Sequence, residues 1–397
     1  MSGRRRRDGE LAPYVDGYRQ RLLTLGYTPG TVCNQVAVVG HLGRWMTTRG
    51  LAVDQLGRAE IDAFVAERRR PGVRQVVFRY GLVVLRQHLV EVGATALEEP
   101  AAPSALEELI GSYRAWLVRD RGLAEATIIR YERTARRLLV QRADGADVRG
   151  LSGAEVSAFL LTESGRCSVG AAKGCVAELR SLLRYLFLSG RTPIALAAAV
   201  PPVAGWHDTG IPPSLPAETI QALLDSCDRS TTTGTRDFAI VLLLARLALR
   251  SIEIARLQLE DVYWRVGEIT VRGKARRLDR LPLPSEVGEA LAAYLSNARP
   301  ASELRQLFLT CRAPRRGITA WAVHDVVQAA CLRAGVPAVG PHRLRHAVAT
   351  GMVAHGVALS DISQVLRHRD LATTATYAKI DLASLRAVAR PWPGTQR

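Results

Sequence analysis

Six residues of this 397-residue chain carry side chains suited to chemistry on an anion: Arg250, Lys274, His342, Arg345, His368 and Tyr377. They follow one another at intervals of 24, 68, 3, 23 and 9 positions. An arginine stays charged at any physiological pH, and its planar fork binds two oxygens at once. Imidazole and ammonium groups donate hydrogen bonds and move protons. A phenol, with a pKa of about 10, is a nucleophile only where a base or a cationic field activates it. A phosphodiester is the anion such a set would suit. Charge grows on its non-bridging oxygens in the transition state, and losing one preorganised donor there typically costs about 3–4 kcal/mol.

Taken singly, each residue has a plainer reading. Arg250 ends an apolar helical pattern and reads as a snorkelling surface charge. Lys274 lies among Arg272, Arg276 and Arg277 in a solvated turn or a phosphate-contacting strip. His342 and His346 are four apart on a predicted helix, a spacing that can bind zinc, but no third ligand and no H-E-x-x-H glutamate accompany them. His346 reads instead as a packed, hydrogen-bonded helix residue. Tyr377 alone would be core or interface. Glu253, three residues after Arg250, reads as a structural carboxylate that pairs with a nearby cation and suits the first turn of a helix.

Together, LALRSIEIARL, TVRGKARRLDRLPLP, PHRLRHAVATGMVAHG and VLRHRDLATTATYAKI resemble the tyrosine recombinase and integrase family, from about Ile211 to Ala389. The resemblance implies a site-specific DNA recombinase. In it Tyr377 attacks the phosphodiester to give a 3′-phosphotyrosine ester, Arg250 and Arg345 clamp the phosphate, and His342 and His368 add donors. Lys274 would protonate the leaving 5′-oxygen. No cofactor and no metal is called for. Two departures stand out: the family commonly has glycine where this chain has Ala248, and again where it has Arg367, just before His368. Competing readings are a type IB topoisomerase, with the same chemistry but no paired sites, and a DNA-binding protein without catalysis. The partners implied are double-stranded DNA at specific sites, a homotetramer on paired sites and companion recombinases, with no membrane.

The elements that must position these residues follow from the rest of the chain. Lys plus Arg total 54 against 37 Asp plus Glu, leaving +17 and a pI near 10.4, the balance of a protein with a polyanionic partner. The start, MSGRRRRDGE, lacks the apolar region of a secretory signal, and Phe238 to Ala245 is too short to span a bilayer. A cytoplasmic, nucleoid-associated protein is expected. Its six cysteines, at 33, 167, 175, 227, 311 and 331, form no C-x-x-C pair and are expected as reduced thiols, mostly core fillers.

An imperfect repeat occupies the first two hundred residues. VDGYRQRLLTLGYTPGTV around Tyr18 matches IGSYRAWLVRDRGLAEATI around Tyr113, Phe64 matches Phe159, and Gly93 matches Gly190, at a steady offset of 95 to 97. Each copy reads as several amphipathic helices, the last of the second copy striped by Leu179, Leu182, Leu183 and Leu186. Pro-rich joints follow both copies. The expected organisation is a basic first helical repeat over 1–102, a second over 103–200, a linker over 201–213 and a catalytic domain over 214–397. The fold class is mainly α: tandem helical, SAM-like core-binding domains, then a mixed α+β domain with a small antiparallel sheet. In the last part Ser214 is the expected cap of a helix through Ile220 and Cys227. Asp237 to Leu249 is a buried helix, DVYW, EITVR and RLPLP are strands turned at Gly267 and Gly273, and LFLT is an extra strand. Leu382, Leu385 and Val388 would line a short C-terminal helix for a neighbouring protomer.

Overall fold

The computed structural model describes residues 9–68, 79–96, 102–141, 147–204, 215–273, 277–367 and 374. Lys274, His368, Tyr377, Ser214 and the C-terminal leucine stripe lie outside them. By proximity the chain divides into Glu98–Thr209 and a second unit made of Met1–Leu97 with Gly210–Arg397.

The two related stretches fold as two sets of four helices. The first holds α1 (Val15–Thr24), α2 (Pro29–Arg49), α3 (Arg58–Arg68) and α4 (Arg79–Glu91). The second holds α5 (Ala105–Arg119), α6 (Glu125–Val140), α7 (Gly153–Ser164) and α8 (Val169–Leu188). Residues matched in sequence play matched parts. Tyr18 and Tyr113 are both fully buried, and each phenol tip finds an acceptor, the Gly81 carbonyl at 2.9 Å and Ser181 Oγ at 3.1 Å. Phe64 and Phe159 are buried in the two cores. Gly93 and Gly190 follow α4 and α8 in the left-handed conformation, at φ 71° and 68°, which glycine adopts without penalty. Leu179, Leu182, Leu183 and Leu186 all face inward.

Three arginines of α6 are paired within its own unit. Arg130 pairs with Glu178 at 2.7 Å, Arg136 with Glu107 at 2.8 Å, and Arg137 with Glu163. In the other unit, the Arg315 N–H donates to the Leu25 carbonyl at 2.9 Å, and the Arg315 side chain lies over Gly26.

The remaining helices build around α10 (Thr232–Leu247), which is buried on nearly every face from Ala239 to Ala245. α10 begins five residues before the expected Asp237, because Thr231 accepts from the Gly234 N–H at 3.0 Å and caps it earlier. Preceding it, α9 (Ala217–Asp225) is entered through Pro216, with no side-chain cap, in place of the expected Ser214. A short α11 (Ser251–Arg256) follows α10.

The strands β1 (Val262–Tyr263), β2 (Glu268–Arg272) and β3 (Leu278–Pro282) form an antiparallel sheet in that order, with Ile269 opposite both Val262 and Leu281. β3 starts two residues earlier than RLPLP, and Pro284 instead opens α12 (Ser285–Ala293). The LFLT run is not a strand. Leu307, Phe308 and Leu309 are buried in the core, and the stretch forms isolated bridges, Leu309 to Gly317 and Gln258 to Gln306, in place of a strand. Its apolar run signals burial, which a loop satisfies as well as a strand. α13 (Ala320–Ala334), α14 (Pro341–Ala354) and α15 (Leu359–Leu366) complete the described part. A small cluster of Ala248, Ala349, Val353, Ile362 and Leu366 binds α14 and α15 to the end of α10.

Cys175, Cys227 and Cys331 are buried, but Cys33 and Cys167 are exposed and Cys311 is intermediate, so core filling accounts for half of the cysteines. Cys33 sits one position off the stripe of Val32, Val39 and Leu42 that α2 turns inward. No helix among the described residues is long and apolar enough to cross a membrane.

The start of α10 is tight. A Cβ on Gly234 would stand 1.9 Å from the Asp228 carbonyl oxygen, a backbone atom that cannot swing away. Gly234→Ala should therefore destabilise, despite alanine's better helix propensity of about 1 kcal/mol, because overpacking costs about 1–3 kcal/mol. A thermal melt of the variant should show a lower transition temperature.

Candidate active site

Two helix ends supply the frame. α10 and α15 each stop at a left-handed residue, Ala248 at φ 50° and Arg367 at φ 52°. A helix C-terminus leaves backbone carbonyls unsatisfied and carries partial negative charge. Cationic side chains collect there.

Arg345, on α14, is only 2% exposed. One terminal nitrogen donates to the Ala248 carbonyl and the other to the Leu366 carbonyl. Arg250 precedes α11, and its Nη2 reaches the same Leu366 carbonyl at 3.4 Å and the Arg367 carbonyl at 3.3 Å. One carbonyl thus holds the two guanidiniums side by side. They share a pocket with His342, Ser251, Ala320 and Pro341.

Glu253 locks this arrangement. It is 1% exposed, in the first turn of α11. Its Oε1 accepts from Arg250 Nη1 at 2.6 Å, and its Oε2 accepts from the Arg250 N–H at 2.8 Å and from Arg367 Nη2 at 2.8 Å. Burial alone would raise its pKa. The Arg367 charge, with the Arg250 N–H and guanidinium, outweighs burial and holds the carboxyl below its ordinary range. Arg367 itself is lowered by burial, against the countering charge of Glu253.

His342 stands in the first turn of α14, and burial of its ring, then the charges of Arg345 and Arg250, lower its pKa. A neutral imidazole there can accept a proton. Its ring meets that of His346 edge to face, centroids 4.3 Å apart. His346 is driven further, to about 4, by burial and then by His342, Arg345 and Arg343. Among the described residues no third His, Cys, Asp or Glu completes a metal-binding group with them.

Of the six predicted residues, three come together in the described structure: Arg250, His342 and Arg345. Lys274, His368 and Tyr377 lie outside the described residues. β2 and β3 flank Lys274 in the sequence, and α15 ends two residues before His368. Glu253 pairs with cations as its position suggested. The part played by Arg367 was not foreseen. Its only signal was an arginine where the resemblance called for glycine.

Residues 213–383 match the Phage integrase family. The integrase/recombinase y4rA of Sinorhizobium fredii is 36% identical over 394 residues, covering 98% of this chain and 96% of that protein. Tyrosine recombinase XerD of Listeria monocytogenes is 28% identical, covering 71% and 97%. Among solved structures, the XerH site-specific recombinase bound to palindromic difH substrate aligns with a TM-score of 0.54 at 18% identity, covering 75% of this chain and 98% of that one. The fold is thus that of the tyrosine recombinases and integrases. The chain belongs to this family, whose members are site-specific recombinase enzymes.

The depressed histidine has a consequence for stability. Unfolded, His346 titrates near 6.5 and takes up a proton that the folded state refuses until about pH 4. Folding stability therefore falls as pH drops from about 6.5 to about 4, and this contribution is level below that. Urea midpoints measured across this range should decline less steeply for His346→Gln than for the wild type.

Proposed function

We propose that this protein cuts and rejoins DNA at specific sites through a transient 3′-phosphotyrosine link to Tyr377. The observation that carries the reading is the Leu366 carbonyl that holds Arg250 and Arg345 together in a pocket beside a neutral-leaning His342. Two adjacent guanidiniums offer several N–H donors to the non-bridging oxygens of one phosphodiester. In the proposed step the Tyr377 oxygen attacks phosphorus and its proton passes to His342. The bond from phosphorus to the 5′-oxygen breaks, and Lys274 protonates that oxygen. His368 donates to the phosphate. Reversal by another strand's 5′-hydroxyl reseals the DNA, and since the ester conserves the bond, no ATP enters the scheme and no metal is required.

The partner is double-stranded DNA. The +17 charge supports this, as do relatives solved on DNA, such as the XerH–difH complex and a lambda integrase dimer bound to a COC′ core site. The two helical sets, over about 1–102 and 103–200, would add contacts to the duplex, joined by a linker at 201–213 to a catalytic domain at 214–397. Two duplexes require four cleavages, so a homotetramer on paired sites is the working assembly, alone or with companion recombinases. Integration, excision or transposition of a mobile element, carried out at the nucleoid in the cytoplasm, is the biological setting.

A nicked suicide substrate tests the chemistry. Wild-type protein should leave a covalent adduct on a denaturing gel, whereas Tyr377→Phe should bind the same DNA and leave none. An adduct of normal yield in that variant removes Tyr377 as the nucleophile. Lys274→Ala should cleave poorly on ordinary DNA but recover on a substrate with a 5′-bridging phosphorothiolate, because sulfur leaves without a proton. Cleavage that stays low on the sulfur substrate assigns the acid elsewhere.

A further inference from the structure

Among the described residues only two other than glycine adopt a left-handed backbone, Ala248 and Arg367. They stand at the two places where the resemblance calls for glycine. Glycine takes this conformation freely, whereas any residue with a Cβ is disfavoured there by about 1–2 kcal/mol. For Ala248 the excess is a single methyl. Arg367 carries a long cationic side chain into the same strained conformation, and that side chain is 3% exposed. It does not line the pocket that holds Arg250, His342 and Arg345. It is therefore badly placed to touch a phosphate itself.

Its contacts all run inward. Arg367 Nη2 meets Glu253 Oε2 at 2.8 Å and the Ala248 carbonyl at 3.4 Å, while Nη1 meets the Val365 carbonyl at 3.1 Å. Glu253 is the carboxylate that grips the Arg250 guanidinium at 2.6 Å. Arg250 is the more exposed of the clamp arginines, with its side chain 36% exposed against 2% for Arg345 as a residue. Two guanidiniums, those of Arg250 and Arg367, meet one carboxylate, with Arg345 beside them on the shared carbonyls, so mutual repulsion pushes outward on the arginine that has an open side. A second cation on Glu253 keeps the carboxylate ionised and fixed in place, and a fixed, charged Glu253 keeps Arg250 in.

We propose that Arg367 is a positioning residue: from the left-handed cap of α15 it pins Glu253, and through Glu253 it holds the Arg250 guanidinium beside Arg345 in a phosphate-binding geometry. The inference rests on the reading that Arg250 contacts the scissile phosphate. It separates two parts of Arg367. The backbone carbonyl, which accepts from Arg250 Nη2 at 3.3 Å, would survive in a glycine; the link to the carboxylate would not.

Glycine at 367 is therefore the informative variant, since it relieves the backbone and removes only the side chain. Single-turnover adduct formation on the nicked substrate, at saturating protein, would be compared for wild type, Arg367→Gly, Arg367→Lys, Glu253→Gln and the Arg367→Gly/Glu253→Gln double variant. DNA affinity and melting temperature would be measured alongside. A wild type that forms no adduct refutes the proposed function itself, separately from this inference. Given an active wild type, Arg367→Gly should bind DNA as tightly but form adduct about tenfold to a hundredfold more slowly, the scale of a misplaced catalytic group. Arg367→Lys, which keeps a cation near Glu253, should recover part of the rate. The double variant should be no slower than the slower single variant, because both changes break one chain of contacts.

A pH profile adds a readout that a purely structural residue would not move. Glu253 is faced by Arg250 and Arg367, and Arg367 by Glu253, Arg250 and Asp279. With Arg367 gone, burial raises the Glu253 carboxyl with less to oppose it. The Arg367→Gly rate should then climb with pH over a range where the wild type is flat. Adduct formation at the wild-type rate in Arg367→Gly overturns the proposal. So do losses in the two single variants that multiply in the double, and so does a loss of DNA binding in step with the rate, since these make Arg367 an independent or merely structural residue.

Discussion

Holding several positive charges close together is the constraint on which this structure turns. Guanidiniums repel one another, and burying them removes the water that would soften the repulsion. The protein answers with backbone. The carbonyls of Ala248 and Leu366, at the C-terminal ends of α10 and α15, accept from Arg345 on both sides, and each also accepts from a second arginine. Negative helix ends thus do much of the work that carboxylates do elsewhere. Among the described residues Glu253 is the carboxylate that directly meets Arg250 and Arg367, while Arg250 and Arg345 line the pocket.

That solution dictates the packing around it. Two helices must end within a guanidinium's width of each other, so both must turn sharply and at a fixed place. Left-handed residues at 248 and 367 make those turns. The small cluster of Ala248, Ala349, Val353, Ile362 and Leu366 then joins the two ends to α14, which carries His342 and Arg345. The apolar α10 anchors this corner to the larger core, with α9, α12, α13 and α14 packed around it.

The helical sets show the opposite use of arginine. Along α6, Arg130, Arg136 and Arg137 are matched by Glu178, Glu107 and Glu163 from other helices of the same unit. Glu178 is 5% exposed, and it also accepts from Thr134 at 2.6 Å. These pairs orient helices and leave less free charge than the run of arginines in the sequence suggests. Sequence-level charge therefore overstates the share of this face that is open to a polyanion.

The sequence by itself determined a good deal. The matched Tyr18 and Tyr113 and the glycines that end the last helix of each repeat follow from periodicity and are placed as expected, while Arg250, His342 and Arg345, singled out by the family resemblance, line one pocket. Strand register and helix starts were less legible, as the shifted β3, the Thr231 cap and the buried loop at Leu307 to Leu309 show. An apolar run reports that residues are buried; whether they pair as a strand depends on what lies beside them. Least legible was Arg367. A local reading could mark it only as a departure from glycine, because its meaning lies in a contact with Glu253, 114 residues away in the chain. Tertiary structure alone decided that contact, since it exists only where the ends of α10 and α15 are brought together and the buried carboxylate between them needs a second cation.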